Sequence, residues 1–165
     1  MLVVHNYYQQ PGGEDNVFHA EVQVLREHGH TVLEYSEQNK EIVGSNKIKL
    51  ACDTIWSERS KNKLATALAD FRPDVAHFHN TFPLISRSAY YACPAAGAPV
   101  VQTLHHYRTG RPKATYFRDG RLCNDCRTKL FAWSAVAHAC DRSGRSTSWT
   151  IALIEFRSKS WATVP

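Results

Sequence analysis

Three segments of this 165-residue chain run from an apolar stretch into histidine and then into other polar or aromatic residues. They are His5-Asn6, His79-Asn80-Thr81 and His105-His106-Tyr107. Imidazole can donate, accept or transfer a proton near neutral pH, and amide and hydroxyl groups orient a ligand by hydrogen bonding. A single histidine at such a position is ordinarily a surface or hydrogen-bonded residue, so a functional site requires that these segments meet.

A second chemical feature is a glycine pair near the N-terminus, Gly12-Gly13, which follows the apolar run 1–4 and Pro11. Glu14 and Asp15 then stand where a helix takes its first acidic residues. Paired glycines let a backbone approach a ligand closely, and the first amides of a helix attract an anion. The pattern is compatible with a phosphate or diphosphate site, but an ordinary turn is the favoured interpretation at this point because Glu14 would repel an anion.

Cysteines supply the third feature. The chain has five and shows no secretory signal, which favours reduced thiols or a metal over a disulfide framework. Cys52 and Cys93 lie in apolar helical context and are predicted to be small buried side chains. The remaining residues give the spacing C-x2-C-x11-H-x-C, formed by Cys123, Cys126, His138 and Cys140. Four nitrogen and sulfur ligands suit a structural zinc, while unligated or redox thiols remain the alternative.

The elements that must position these residues alternate in type along the chain. Strands are predicted at 1–4, 31–35, 75–79 and 99–104, and helices at 14–28, 60–71 and 86–97, with residues 36–58 irregular. This alternation predicts an α/β, Rossmann-like fold, a parallel sheet with helices on both faces. The carboxyl ends of parallel strands share one edge, which is where ligands bind in such sheets. All three histidine segments and the glycine pair are expected at that edge.

The chain changes character after the fourth strand. Asp119-Gly120 within residues 116–122 predicts a hairpin, so a small cysteine-containing hairpin insertion is expected near residues 110–140. The apolar segment 149–156 is predicted to be a fifth parallel strand. We expect residues 1–165 to form a single Rossmann-like domain in which about 108–145 are the insertion.

Composition and charge restrict the class of protein. Apolar residues make up 43% and charged residues 21% of the chain, as in ordinary globular proteins. No apolar run reaches the length of a membrane span, so the chain is expected to be cytoplasmic. The net charge of +5 is uneven: residues 101–165 hold 11 Lys and Arg against 4 Asp and Glu. That excess predicts an acidic partner or an anionic membrane surface, with a solvated basic surface as the alternative.

Four segments together resemble a known family, the bacterial family 4 glycosyltransferases of the two-domain GT-B architecture. The segments read HNYYQQPGGED, RPDVAHFHNTFPLIS, PVVQTLHHYR and ATYFRDGRLCNDC. The resemblance covers nearly the whole chain to about Cys140, and it is most specific at HNTFPLIS and FRDGRLCNDC.

The resemblance implies a retaining transfer of a sugar from a nucleotide-sugar donor to a saccharide or lipid-linked acceptor in polysaccharide biosynthesis, with no cofactor required. It implies that Gly12 and Gly13 face the donor diphosphate and that His105 is catalytic, near the reacting sugar. The acceptor and cleft residues are then expected to be His5, Asn6, Glu14, His79, Asn80, Thr81, His106 and Tyr107.

The chain also departs from the family pattern. Arg111-Pro112 stands where members usually have Cys-Pro, and His106 stands where they have Asn. A second, nucleotide-sugar-binding Rossmann domain is not part of these residues, so we expect the isolated chain to be a truncated N-terminal domain without activity of its own. The expected location is the cytoplasm, with peripheral association with the inner membrane as an open alternative.

Three alternatives remain open. The chain could be a module that binds an acceptor or an anionic headgroup through its basic half. It could be a non-functional gene fragment whose tail after about Arg142 is foreign to the fold. A zinc-ribbon nucleic-acid binder is the least favoured, because the basic residues are not interleaved with stacking aromatics, and no nucleic-acid partner is expected.

Overall fold

The computed structural model describes residues 1–39, 46–106, 113, 115–140 and 144–161. The chain divides into two compact units, Met1–His105 and His106–Pro165. The expectation of one domain for the whole chain stays a prediction.

The first unit alternates strands and helices. In chain order its elements are β1 (Leu2–Tyr7), α1 (Gly13–Glu27), β2 (Leu33–Gln38), α2 (Lys47–Ile55), α3 (Glu58–Phe71), β3 (Ala76–Phe78), a 3₁₀ turn (Arg87–Tyr91) that leads into α4 (Ala92–Ala95), and β4 (Val100–Gln102).

The strands form a parallel sheet in the order β2-β1-β3-β4. The predicted α/β fold is therefore confirmed. The chain passes from β1 to β2 on one side and then returns to place β3 on the other side of β1. This change of direction makes the carboxyl end of β1 and β3 the topological switch point, where ligands bind in open parallel sheets.

Hydrophobic burial explains why α1 and α3 lie on opposite faces of this sheet. β1 is buried from Leu2 through Asn6, as a central parallel strand must be. Side chains alternate between faces along a strand, so β1 contributes to two cores. One core contains Val3, Phe18 and Val22, the last two from α1. The other contains Leu2, Val4, Leu64, Leu68, Ala76, Phe78, Ile85, Ala89, Ala92, Cys93 and Ala98.

Two expectations for the first unit are wrong. Residues 36–58 were expected to be irregular, but they include α2, whose first turn is capped by Asn46: its side-chain oxygen accepts from the backbone N–H of Ile48 at 2.9 Å. Cys52, expected to be buried, lies on the exposed side of this helix. Cys52 lies one helical turn after Ile48, which is also exposed, so both residues lie on the solvent side of α2.

The second unit contains a short hairpin and two helices. The hairpin pairs β5 (Phe117–Arg118) antiparallel with β6 (Arg121–Leu122). Asp119 and Gly120 connect the strands, and both have positive φ, 52° and 78°. Two such residues in succession give the turn that matches the twist of a hairpin, which is why Asp-Gly is favoured there. The helices are α5 (Trp133–Ala137) and α6 (Arg145–Trp161).

The predicted fifth strand at 149–156 is wrong, because these residues lie within α6. Ser148, Ile151, Ala152 and Glu155 are buried, and their spacing of three and four residues is that of one helix face. Ala152 packs with Cys126, Ala132 and Ala135 in the core of this unit. A short apolar run is consistent with either a strand or a buried helix, and the polar members of the stripe hid the helical period.

No helix among the described residues combines the length and the apolar character needed to cross a membrane. Tyr107 and the Arg111-Pro112 pair lie outside the described residues.

Burial of Cys93 predicts a large difference in thiol reactivity. The Cys93 side chain is fully buried, and burial raises its pKa to about 11. At pH 8 roughly one molecule in a thousand then carries the reactive thiolate, and the reagent cannot reach it. We expect alkylation of Cys93 in the folded chain to be at least about 100-fold slower than that of exposed Cys52.

Peptide mass spectrometry after timed labelling measures both rates in one sample, so that Cys52 serves as the internal control. In urea the two rates should become similar. Equal rates in the folded chain would contradict the buried position of Cys93.

Candidate functional site

Histidines from three adjacent strands meet at the carboxyl edge of the sheet. His5 lies on β1, while His79 and His105 follow β3 and β4. His79 Nδ1 and His105 Nε2 are hydrogen-bonded at 3.1 Å, and their rings stack with centroids 5.3 Å apart. The His5 ring meets that of His79 edge-on at 6.2 Å. The structure thus brings these three candidate residues together on the α1 side of the sheet.

Burial sets the charge state of these imidazoles. The pKa of His79 is lowered to about 4, mainly by burial and in part by the neighbouring His77 and His105, because a second positive charge nearby is unfavourable. Burial also lowers the pKa of His105 and of His5, although the Asp15 carboxylate opposes the shift at His5. At neutral pH the edge therefore presents neutral rings that can accept or donate a hydrogen bond.

Two residues of this cluster were not identified from the sequence, Glu21 on α1 and His77 on β3. The Glu21 carboxylate contacts His77 Nδ1 through one oxygen and lies 3.3 Å from His79 Nε2 through the other. His77 Nε2 is hydrogen-bonded to Thr103 Oγ1 at 2.8 Å. The sequence does contain an indication of both residues. Glu21 is three residues after Phe18, so it lies on the helix face that packs against the sheet, and His77 is two residues before His79, so the two share a strand face.

The glycine pair is attached to the end of β1 through Asp15. One Asp15 oxygen lies 2.7 Å from His5 Nε2, and the other accepts the backbone N–H of Gly12 at 2.8 Å. The amide of Asp15 in turn donates to the Gly12 carbonyl oxygen at 3.2 Å. Asp15 therefore caps α1 and fixes the glycine loop beside His5.

The glycine loop does not need glycine for its own conformation. Gly12 is extended, with φ −123° and ψ 175°, and Gly13 opens α1. A Cβ at Gly12 would meet only Glu14 Cγ, at 3.9 Å, and one at Gly13 would meet nothing within 4 Å. The room at these positions is therefore open to a ligand as well as to a side chain.

Asn6 and Asn80 support the chain that follows β3. The Asn6 side chain donates to the carbonyl of Phe82 at 2.7 Å and accepts from the amide of Leu84 at 3.3 Å. Asn80 donates to the carbonyl of Asn6 at 2.7 Å. These bonds hold the segment 80–84 against the end of β1. Thr81, which is half-buried, hydrogen-bonds Tyr90.

Two further cleft candidates are Glu14 and His106. Glu14 is half-buried in the first turn of α1. His106 is half-buried and is the first residue of the second unit. Roles in ligand binding for these residues, and for Asn6, Asn80 and Thr81, stay predictions.

In the second unit, Cys123, Cys126 and Cys140 line one cavity together with Arg118. Arg118 hydrogen-bonds Cys140 and donates to Asp125 at 3.0 Å, while the Cys123 thiol also hydrogen-bonds Asp125. The hydrogen bond from Cys123 and the charge of Arg118 lower the pKa of Asp125.

Three of the four predicted zinc ligands line this cavity. His138, the fourth, is exposed and is not among the lining residues, and the guanidinium of Arg118 lies beside the cysteines. Zinc at the cysteines stays a prediction. Among the described residues, the group of His, Cys, Asp or Glu whose ligand atoms lie within 4.8 Å of one another is Glu21, His77 and His79.

Comparison with protein families gives a match over most of the chain. The model of the family described as Glycosyltransferase Family 4 matches residues 11–146 of the chain, well over half of its length. Neither the curated proteins nor the solved structures gave a match.

The position of Asp15 predicts a large cost for its removal. In Asp15→Ala the buried His5 Nε2 and the Gly12 amide both lose their acceptor, and α1 loses its cap. Each loss costs about 1–2 kcal/mol, so the free energy of unfolding should fall by about 2–4 kcal/mol. Urea denaturation followed by circular dichroism measures it.

Asn16→Ala is the matched control, since Asn16 is exposed in the same turn of the same helix. It should change the free energy of unfolding by less than about 0.5 kcal/mol. Equal effects of the two substitutions would show that Asp15 does not fix the loop.

Proposed function

The chain belongs to glycosyltransferase family 4, and from this premise we propose that residues 1–106 form one side of a glycosyl-transfer site. The reaction is the retaining transfer of a sugar from a nucleotide-sugar donor to a saccharide or lipid-linked acceptor in polysaccharide biosynthesis. The observation that carries the proposal is the cluster of His5, His79 and His105 beside the glycine loop, at the switch point of the sheet.

The glycine loop faces the donor diphosphate in this proposal. α1 is 15 residues long, so its first amides carry a useful partial positive charge, and the open space beside Gly12 and Gly13 admits phosphate oxygens. Asp15 does not oppose the anion strongly, because its two oxygens already accept from His5 and Gly12. Glu14 lies at the mouth and would face the sugar or the acceptor.

His105 lies near the reacting sugar in this proposal. Its Nε2 is engaged by His79 Nδ1, which orients the ring and leaves Nδ1 for a hydroxyl of the substrate. The lowered pKa keeps the ring neutral at physiological pH, so His105 acts as a hydrogen-bonding group that positions the sugar. His79 acts through His105 and is a positioning residue.

The negative charge that develops during the reaction requires cationic groups that stabilise the leaving group. As the bond from the anomeric carbon to the diphosphate breaks and the bond to the acceptor oxygen forms, negative charge accumulates on the leaving group. Cationic side chains and helix N-termini stabilise such charge by several kcal/mol in metal-independent enzymes. The loop offers amides beside two acidic residues, so the cations are proposed to come from residues outside this loop, such as those of a donor-binding domain.

A second function is favoured by one observation, the charge of the chain's second part. Residues 101–165 carry 11 Lys and Arg against 4 Asp and Glu. Such an excess would hold the chain at a membrane that contains anionic lipid, where a lipid-linked acceptor resides. Salt-sensitive sedimentation with vesicles containing phosphatidylglycerol, but not with neutral vesicles, would support this role.

The donor side of the proposal predicts weak nucleotide binding. Calorimetric titration of the folded chain with UDP, GDP and ADP should give a Kd near 1 mM or below for at least one of them, about −4 kcal/mol. Gly13→Ala should weaken that binding about tenfold or more, because its methyl group occupies the space left for phosphate.

The same substitution should leave the fold intact or make it slightly more stable, since alanine favours a helical position over glycine by about 0.4–1 kcal/mol. Asn16→Ala is again the control and should bind as the parent chain does. Nucleotide binding by Gly13→Ala with an unchanged Kd would exclude the loop as the diphosphate site.

The charge argument makes a separate prediction about turnover. The 165-residue chain alone should release no nucleoside diphosphate from UDP- or GDP-sugars above the rate without protein, with or without added acceptor glycans. A coupled assay for released diphosphate measures this. Detectable turnover would show that this chain alone completes the site.

A further inference from the structure

We propose that Glu21, His77 and His79 form a binding site for a divalent transition-metal ion, with zinc as the preferred ion. The site lies between α1 and β3 on one face of the sheet. The inference does not depend on the glycosyl-transfer proposal, because it rests only on the side chains that converge there.

The three ligand atoms are close to a coordinating arrangement. A carboxylate oxygen of Glu21, Nδ1 of His77 and Nε2 of His79 all lie within 4.8 Å of one another. Zinc bonds of about 2.0–2.1 Å in a tetrahedron place ligand atoms about 3.3 Å apart. His79 Nε2 lies 3.3 Å from Glu21 Oε2, so small side-chain rotations would bring the set around one ion.

Each histidine already has the support that metal ligands show in proteins. A metal-binding imidazole usually hydrogen-bonds a second group through its other nitrogen, which fixes the ring and the tautomer. His77 uses Nε2 with Thr103 at 2.8 Å, and His79 uses Nδ1 with His105 at 3.1 Å. The nitrogens left over, Nδ1 of His77 and Nε2 of His79, are the two that point toward Glu21.

His79 Nε2 provides the second observation that points to a ligand. The His79 side chain is fully buried, and Nε2 has no hydrogen-bond partner among the described residues, because its approach to Glu21 lacks hydrogen-bond geometry. Leaving a buried polar nitrogen unsatisfied destabilises the folded chain. A metal ion bound to the lone pair of this nitrogen would remove that destabilisation.

The scaffold and the donor set select the class of ion. His77 lies on β3 and His79 directly follows that strand, so their side chains lie on the same face of the sheet, while Glu21 lies in the middle of α1. Two imidazoles and one carboxylate suit zinc, cobalt or nickel, whereas calcium and magnesium prefer sites made of oxygen. Glu21 is about 29% exposed, so an ion can enter from solvent and a water molecule can occupy the fourth coordination position of the ion.

The experiment uses the full chain after treatment with EDTA and dialysis. Titration with Zn²⁺ alone should show one ion per chain, and the melting temperature should rise by about 5–10 °C at a hundredfold excess over Kd. Co²⁺ added to the metal-free chain should give the visible absorption of a tetrahedral or five-coordinate ion with nitrogen and oxygen ligands, and Zn²⁺ should then displace it.

The cobalt spectrum separates this site from the cysteine cluster. Cobalt bound to Cys123, Cys126 or Cys140 would add a strong thiolate charge-transfer band in the near ultraviolet, and the proposed ligands produce none. If the chain with one bound Co²⁺ gives a spectrum dominated by that band, the proposal is overturned, even if the chain binds one Zn²⁺.

Matched variants test the ligands directly. Glu21→Gln keeps the shape and hydrogen bonding of the side chain and removes the anionic ligand, so it should weaken Zn²⁺ binding at least tenfold to a hundredfold. His79→Gln should do the same. His19→Gln, an exposed histidine two residues earlier on α1, should bind Zn²⁺ as the parent chain does.

Circular dichroism of the metal-free variants establishes that each is folded. If a variant fails to fold, the stoichiometry and the cobalt spectrum of the parent chain still decide. No stoichiometric binding by the folded parent chain, or an unchanged Kd in folded Glu21→Gln, would show that Glu21 simply accepts a hydrogen bond from the histidines.

Discussion

The carboxylate of Asp15 is the interaction on which the arrangement of the carboxyl edge depends. A buried carboxylate is costly unless hydrogen bonds and charge partners satisfy it, and both oxygens of Asp15 are satisfied, one by His5 and one by the Gly12 amide. The first partner belongs to a central strand and the second to the loop that begins α1. A single side chain thus joins the sheet, the loop and the helix, and the position of the loop depends on this carboxylate.

The parts of the fold that could be predicted from sequence are those with a local signal. Apolar runs followed by helical periodicity predict strands and helices one at a time, and their alternation leaves a parallel sheet as the simplest arrangement. Parallel topology then requires the carboxyl ends to share an edge. The meeting of His5, His79 and His105 is therefore a consequence of chain order, and it needed no knowledge of side-chain packing.

The parts that could not be predicted depend on partners distant in the chain. Glu21 looks like any charged residue of an amphipathic helix, and only the tertiary structure shows that His77 and His79 lie opposite it. Asn6 could be placed at a strand end, but its bonds to the segment 80–84 follow from the packing of that segment. The prediction of a strand at 149–156 was wrong because so short an apolar run fits the period of a strand as well as that of a helix. The buried face of α6 also includes the polar residues Ser148 and Glu155, which an apolar pattern does not reveal.

Helix α1 has two polar attachments to the sheet, Asp15 to β1 and Glu21 to β3, six residues apart and therefore about 9 Å apart along the helix axis. Turning the helix by one residue, about 100°, would separate both pairs at once and also withdraw Phe18 and Val22 from their core. The helix consequently has one rotational setting, and the amides of its first turn point in one direction. A ligand at this edge meets a preorganised surface, so its affinity is not reduced by the entropy of ordering the loop, and its shape must match the loop as it stands.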